Sequence, residues 1–359
     1  MKIPLRARGM TQEEQKGKKR KKAMANILSA LILILSVLLL LLPYLPPALA
    51  GRLVGIGYGA LVIIIANILA TLLRKRWWRR VHLAIVVLSL PLMWAYVPII
   101  PKEPKPGQQS VSIVSWNVDN FLVSRDTMLQ SARYMRTLQP DIICLQERPH
   151  EVKVAWTDIL DALPQHRHAV RNSHEDEVLN LAILSCHPII ATGERTFEGT
   201  YNKYLWADVA TKTDTLRIFC VHLQTTGITP PHQSPLLQEG TGEVKRRAHK
   251  ASRIVHHAIF RDEQALTLYN DIQQSPHPVV VCGDFNDTPC GYPARRLRTV
   301  LTDFSRRPPL CGTFKRWHSI LKIDHMMCSP TLRPLSYQIA DTPWSDHKLQ
   351  IGTVGITAE

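Results

Sequence analysis

VVVCGDFNDTP (279–289) runs four small apolar residues into a glycine, then into an acid, an aromatic, an amide, a second acid and Thr-Pro. A short apolar, β-branched run closed by turn residues reads as a buried strand. Such a strand ends in carboxylates only where they have a use or a partner, because a lone buried charge is costly. Side chains alternate along a strand, so Asp284 and Asn286 share one face and Asp287 points the other way. Thr288 and Pro289 fit an N-cap and a first helical position, which makes Asp287 a turn residue.

The same construction recurs. VSIVSWNV (111–118), DIICLQE (141–147), LNLAILSC (179–186), LWADVAT (205–211), TLRIFCVHL (215–223), IDHMMC (323–328) and KLQIGTV (348–354) also read as strands. Ile113, Ser115 and Asn117 alternate onto one face, as do Ile143, Leu145 and Glu147, and Ile218, Cys220 and His222. Taken singly, each polar end is a turn, a cap or a satisfied structural group. Five ends that offer Asn, Glu, His, Asp/Asn and Asp-His are hard to explain as caps. DTMLQSARYMRTLQ (126–139) and residues 243–274 carry helical patterns. The mixture predicts an α/β domain of packed sheets flanked by helices.

In order, WNV, LQE, HLQT, GDFND, KIDH and SDH resemble the endonuclease/exonuclease/phosphatase superfamily over about 110–355. The resemblance implies a four-layer α/β/β/α sandwich and hydrolysis of phosphate esters with a divalent metal, Mg²⁺ or Mn²⁺, as one or two ions. It implies that Glu147 is the principal metal ligand, with Asn117 and Asp346 beside it. Hard cations take oxygen ligands and keep several waters, so one or two carboxylates suffice. It casts Asp284 as the acid that orients or deprotonates the attacking water, and Asn286 as an amide donor to the phosphate. His222 and His347 would face the phosphate, and Asp324 would orient His347. Asp346 and His347 are neighbours, so both reach one site only where the chain enters its strand irregularly. His325 reads as structural, as do His256 and His257, which cannot share a metal from one helix face.

Three uncharged or weakly polar apolar runs precede the domain, at 27–42, 53–73 and 81–100. They predict three transmembrane helices, with core helices as the competing reading. KGKKRKK (16–22) and RKRWWRR (74–80) favour the cytoplasm, which leaves the 43–52 turn and everything after the third run outside. That placement is periplasmic in a cell with two membranes. A signal peptide ending at PALA (47–50) would give the same downstream topology. The expected organisation is a basic N-terminus (1–24), an integral membrane region (25–100), a Pro-rich linker (101–109) and the catalytic domain (110–359).

The net charge of +15 suggests a nucleic-acid binder until it is located. Residues 1–100 hold 15 of the 44 basic residues and two of the 29 acidic ones, so the remainder carries only +2. Lipid headgroup and nucleic acid both stay open as the substrate, and nothing in the sequence points to a protein partner. KIDHMMC stands where inositol phosphatases of this superfamily usually carry Cys-Asp-Arg, which argues against that branch. A non-catalytic binding module would be expected to have lost a metal or base residue, and every such position is filled. Cys144, Cys186, Cys220 and Cys282 lie in apolar runs and read as buried thiols, while Cys290, Cys311 and Cys328 could pair. The 225–243 loop could cover the site or meet the membrane, and KRRAHK (245–250) reads as a solvated helix face or a phosphate contact.

Overall fold

The computed structural model describes residues 11–175, 179–226 and 243–356, without the side chains of 243–250 and of Trp317. Most of the 225–243 loop and the side chains of KRRAHK therefore lie outside the described residues. The first helices are α1 (Gln12–Leu41), α2 (Pro47–Arg52), α3 (Val54–Tyr58), α4 (Ala60–Leu73), α5 (Arg76–Leu88) and α6 (Leu90–Met93). Two compact units emerge: residues 1–41 with 59–91, and residues 42–58 with 92–359.

One described helical stretch, Gln12–Tyr44, is long and apolar enough to cross a membrane. The second apolar run is broken at Gly59, and α4 has 14 residues, which span about 21 Å against a hydrocarbon core of about 30 Å. The third run breaks at Ser89 after the 13 residues of α5. Three buried polar side chains join these helices. Asn67 Nδ2 donates to Ser36 Oγ at 2.8 Å, and Asn67 Oδ1 lies 2.8 Å from His82 Nδ1. Such bonds between helices give apolar segments a register that dispersion alone does not.

The second unit holds β1 (Ser110–Asn117), α7 (Arg125–Thr137), β2 (Ile142–Arg148), α8 (Trp156–Ala162), β3 (His168–Arg171), β4 (Asn180–Ser185), β5 (Ile189–Thr196), β6 (Lys203–Ala210), β7 (Thr215–His222), α9 (Glu243–Gln273), β8 (Val279–Asp284), α10 (Tyr292–Leu297), β9 (Thr302–Asp303), β10 (Asp324–Cys328), β11 (Leu332–Ala340) and β12 (Leu349–Ile356). Two six-stranded sheets form, in the orders β11-β12-β1-β2-β4-β3 and β5-β6-β7-β8-β10-β9. Ile113, Cys144, Ile183, Ile218, Cys220, Cys282 and Met326 interlock between the sheets. The outer face of the first sheet packs Val114, Trp116, Ile143 and Leu145 on Met128, Met135 and Ile159 of α7 and α8. The outer face of the second packs Phe219 and Val281 on Ala265 and Leu268 of α9 and on Ala294 and Leu297 of α10. Helix, sheet, sheet and helix therefore make the four layers that the family resemblance implies.

Residues on either side of the apolar runs join this unit. Leu42 and Ala50 sit in the cluster with Phe285 and Tyr292. A Cβ on Gly51 would collide with the Ile259 backbone of α9, so glycine permits the close packing of α2 there.

Strand directions bring the polar ends together. β1 and β2 run parallel, as do β7 and β8, so Asn117, Glu147, His222 and Asp284 leave the C-terminal ends of their strands. β10 is antiparallel to β8 and pairs Asp324 with Asp284. β12 is antiparallel to β1 and is preceded by His347 at the same end. Two local expectations change. α10 begins at Tyr292 after Gly291, so Thr288 and Pro289 belong to the preceding turn and not to a helix start. All seven cysteines are free, including Cys290, Cys311 and Cys328, and Cys186 is exposed where a buried thiol is expected.

Candidate active site

Asp284 is almost fully buried at the end of β8. Its Oδ1 accepts the Asn286 amide at 2.7 Å, and its Oδ2 accepts Asn117 Nδ2 at 3.2 Å. The Nε2 atoms of His222 and His347 each lie 3.7 Å from that second oxygen. Burial first, then the nearby charge of Asp324, pushes the Asp284 carboxyl up to about 6.

His347 Nδ1 faces both oxygens of Asp324, at 3.1 and 3.0 Å. Burial alone would lower the imidazole pKa, but the carboxylates of Asp324 and Asp284 outweigh it and raise it to about 10. The ring is held as imidazolium, with Phe314 packed beside it. The irregular entry expected of Asp346 and His347 is present: His347 makes an isolated bridge with Phe314, and β12 starts two residues later.

His222 is held from both sides. Its Nδ1 lies 2.9 Å from Asn202 Oδ1, and its Nε2 lies 3.0 Å from Glu147 Oε1. Burial opposes a charge there, but Glu147 and Asp284 raise the pKa overall. With an oxygen facing each nitrogen, the ring is placed to donate a hydrogen bond from either one.

Glu147 reaches the site by a departure from regular strand geometry. Ile143 and Leu145, which share its alternation, point outward to α7 and α8, while Cys144 points between the sheets. Alternation alone would turn the carboxylate toward the helices. The pairing of β2 with β4 slips between Leu145 and Arg148, and Glu147 takes a φ of 52°. Its Oε1 then accepts Asn117 Nδ2 at 2.9 Å. Burial would raise its pKa, but His222 and Asn117 together hold it down at about 2.

Asn286 also has a left-handed φ, of 52°, and its Nδ2 donates to Leu223 O at 3.0 Å. One amide proton is thereby fixed and the other is left for a ligand. Asp346 pairs with Arg316 at 3.1 Å and lies 3.9 Å from His347 Nε2. All eight residues singled out from the sequence thus meet at one end of the sandwich.

The structure adds three that sequence reasoning missed. Asp119, two residues after Asn117, takes a φ of 44°, and its backbone amide donates to Asn117 Oδ1. Burial, followed by the charges of Asp346 and Glu147, pushes its carboxyl up to about 7. The acid of WNVD stands two residues past Asn117, beyond the part of the run that strand alternation reads. Asn202 and Arg316 lie in segments with no strand pattern, and only tertiary packing brings them in.

Asp287 is buried but stays apart from this cluster, paired with Arg261 at 3.1 Å. His325 is structural. It is buried against Lys322 and the Asp287 carbonyl, and burial and Lys322 drive its pKa well down. Gly283 has a φ of 140°, and a Cβ there would collide with the Val221 carbonyl oxygen. Its close approach is to β7 and not to the site.

The donor set fits a hard divalent cation. Glu147 and Asp346 are within electrostatic reach of Asp119, and a cation there would relieve the repulsion that adds to burial in raising the Asp119 carboxyl. Glu147, His222 and Asp284 place candidate ligand atoms within 4.8 Å of one another, as do Asp284, Asp324 and His347. In the second group His347 and Asp324 are hydrogen-bonded to each other.

The Endonuclease/Exonuclease/phosphatase family matches residues 114–347, from the middle of β1 to His347. The chain belongs to this family. Its fold is similar to an endonuclease/exonuclease/phosphatase from Beutenbergia cavernae DSM 12333 (15% identity, TM-score 0.53), over 70% of this chain and 72% of that one. It is similar to a family protein from Bacteroides thetaiotaomicron (16%, 0.52), over 70% and 99% of the two chains. It is also similar to D. rerio TDP2 complexed with single strand DNA product (16%, 0.50), over 68% and 99%. At these identities the likeness is one of fold. No curated protein sequence matches the chain. Members of the family act on phosphate esters and use divalent metal ions, and this member has candidate ligand groups for one.

Proposed function

We propose that the chain is a membrane-anchored, divalent-metal-dependent phosphodiesterase that hydrolyses an extracytoplasmic phosphate ester by attack of water. The observation that carries this reading is the meeting of Asn117, Glu147, His222, Asp284, Asn286, Asp324 and His347 at one end of the sandwich. A base is most effective when its pKa approaches the working pH, and burial moves Asp284 in that direction. Asp284 takes the proton of the attacking water. His347, charged and oriented by Asp324, faces the phosphate, with His222 as a second donor and the free amide proton of Asn286 as a third. Donors fixed before the reaction stabilise charge as it builds on the phosphate oxygens. Mg²⁺ or Mn²⁺, held by Glu147 with Asn117, Asp119 and Asp346 around it, would supply neutralisation of the phosphate and of the leaving oxygen.

The anchor is read as three spans with the N-terminus in the cytoplasm. One long apolar helix supports it, together with the basic clusters at 16–22 and 74–80. Residues 42–58 and 92–100 fold with the catalytic unit. This supports a topology in which the turn after the first run and the chain after the third lie on one side of the bilayer.

A second reading is an extracytoplasmic nuclease, favoured by the fold shared with the TDP2 that was solved with a single strand DNA product. Against it stands the charge of only +2 on residues 101–359, since phosphate backbones are held chiefly by basic residues. The test is turnover by the purified full chain with Mg²⁺ on bis-nitrophenyl phosphate, DNA, RNA and sphingomyelin, with Asp284→Asn as control. Absence of metal-dependent, Asp284-dependent turnover on all four would sink the enzyme reading.

A further inference from the structure

Arg148 directly follows Glu147 and is fully buried. The pairing of β2 with β4 passes from Leu145–Ala182 to Arg148–Asn180, so Gln146 and Glu147 together stand against Leu181. This is a β-bulge, with one residue too many on β2, and bulges re-aim side chains beside functional sites. Within it Glu147 holds its φ of 52°, a costly conformation for a residue other than glycine. Regular pairing would relieve that cost. It would also return Glu147 to the outer face with Ile143 and Leu145 and turn Arg148 inward between the sheets. Arg148 therefore takes the outward place that alternation gives Glu147.

Its contacts hold it there. The guanidinium lies 5.3 Å from the ring centroid of Trp156, which starts α8 and packs on the outer cluster of the first sheet. Nη1 donates to Pro149 O at 3.0 Å, and Nη2 donates to Glu175 Oε1. The Arg148 carbonyl accepts Asn180 Nδ2 at 3.3 Å. Nε is enclosed with no hydrogen-bond partner among the described residues. Glu175 is fixed in turn. Its Oε1 also accepts Arg171 Nη1 at 2.7 Å, and its Oε2 accepts the Glu151 amide at 3.1 Å. The segment that follows the bulge is thereby tied to the segment that follows β3. A buried ion pair adds little stability over apolar side chains of like size, and its best-attested use is to fix register.

We propose that Arg148 is a positioning residue: clamped by Glu175 and Trp156, it latches the bulge in β2 and keeps the Glu147 carboxylate turned toward the metal site. It acts through Glu147 and not on the reacting groups. Loss of the clamp frees β2 to slip by one residue, and the carboxylate leaves Asn117 and His222 for the outer face.

The inference rests on the reading of Glu147 as a metal ligand, and its test separates the two. Binding of Mn²⁺ to the purified full chain in detergent is followed by the electron paramagnetic resonance signal of the free ion. Glu147→Gln should weaken binding. No binding by the wild type, or equal affinity in Glu147→Gln, overturns the metal reading and this inference together. Arg148→Met leaves Glu175 paired with Arg171 and puts an apolar chain against Trp156, so a cooperative melt should persist. It should weaken Mn²⁺ binding about 10- to 100-fold, as loss of a group that orients a ligand does. The basic limb of the pH–rate profile at saturating metal, which belongs to His347 and Asp324, should stay in place. If Arg148→Met does not melt cooperatively, Arg148→Lys keeps the charge facing Glu175 without the planar fork and should still weaken binding several-fold. A folded variant that binds Mn²⁺ as the wild type does overturns this inference alone. So does one whose basic limb shifts along with its affinity, because the whole end of the sandwich would then have loosened.

Discussion

His347 Nδ1 lies 3.0 Å from Asp324 Oδ2, and this contact sets the charge of the ring that faces Asp284. Asp324 is the largest influence raising the His347 pKa, which is carried to about 10 against the opposing effect of burial. Asp324→Asn removes that influence. The imidazolium then loses its proton at lower pH, so the basic limb of the pH–rate profile should move toward neutrality. Turnover at the optimum should fall about 10²-fold or more, as for loss of an acid–base group. An unchanged basic limb would mean that another group controls it.

Asp284→Asn should abolish turnover and also stabilise the fold in chelator. The folded pKa of Asp284 is raised from 3.8 to about 6, so the native state binds the proton more tightly than the unfolded chain does. Stability falls with pH where the native state holds more protons. The wild type therefore loses stability between about pH 4 and pH 6, while the variant does not. Thermal melts should superpose at pH 4 and separate by a few degrees above pH 6, with the variant higher.

Asp119→Asn should act on the metal requirement. Its carboxyl faces Asp346 and Glu147 but makes no direct hydrogen bond to Asp284 or His347 among the described residues. The Mg²⁺ concentration for half-maximal turnover should rise about 10- to 100-fold, with activity recovered at saturating metal. A loss that excess metal does not restore would place Asp119 in the chemistry instead.

Arg261→Met should unfold the unit more readily without touching the reacting groups. Arg261 and Asp287 are both buried, and removing one leaves the other charge alone. Breaking such a pair costs about 3–5 kcal/mol. The urea midpoint should drop accordingly, while molecules that remain folded keep turning over. Asp287→Asn should behave similarly, in contrast to Asp284→Asn.

Gly283→Ala should fail to fold. The residue combines a φ of 140° with contact against the Val221 carbonyl of the parallel neighbour β7. A methyl group there would separate β7 from β8, and with them His222 from Asp284. Loss of the cooperative melt is the expected outcome, and soluble, active protein would refute the packing argument.

The sequence by itself determined the strands that carry function and the nature of their ends. Period-two alternation is a local property, so Asn117, His222 and Asp284 could each be grouped on one face with their apolar neighbours from the sequence alone, while Asp324 was legible only through the family resemblance. Runs without such alternation were not legible: β5 has a half-exposed face, and β9 is two residues long. Glu147 shows where local pattern stops. Alternation carries it outward with Ile143 and Leu145, and only the slip of β2 against β4, with a left-handed residue at Glu147 itself, brings the carboxylate to Asn117 and His222. Asp119 and Asn286 depend on the same kind of backbone departure. The partners of the site were likewise decided by tertiary structure. Asn202 and Arg316 are distant in sequence from what they touch, and Asp287 differs from Asp284 in the cation it is buried with. A strand pattern reports which way a side chain points relative to its neighbours. What meets it there, and with what charge, depends on how the two sheets, their turns and α9 close upon one another.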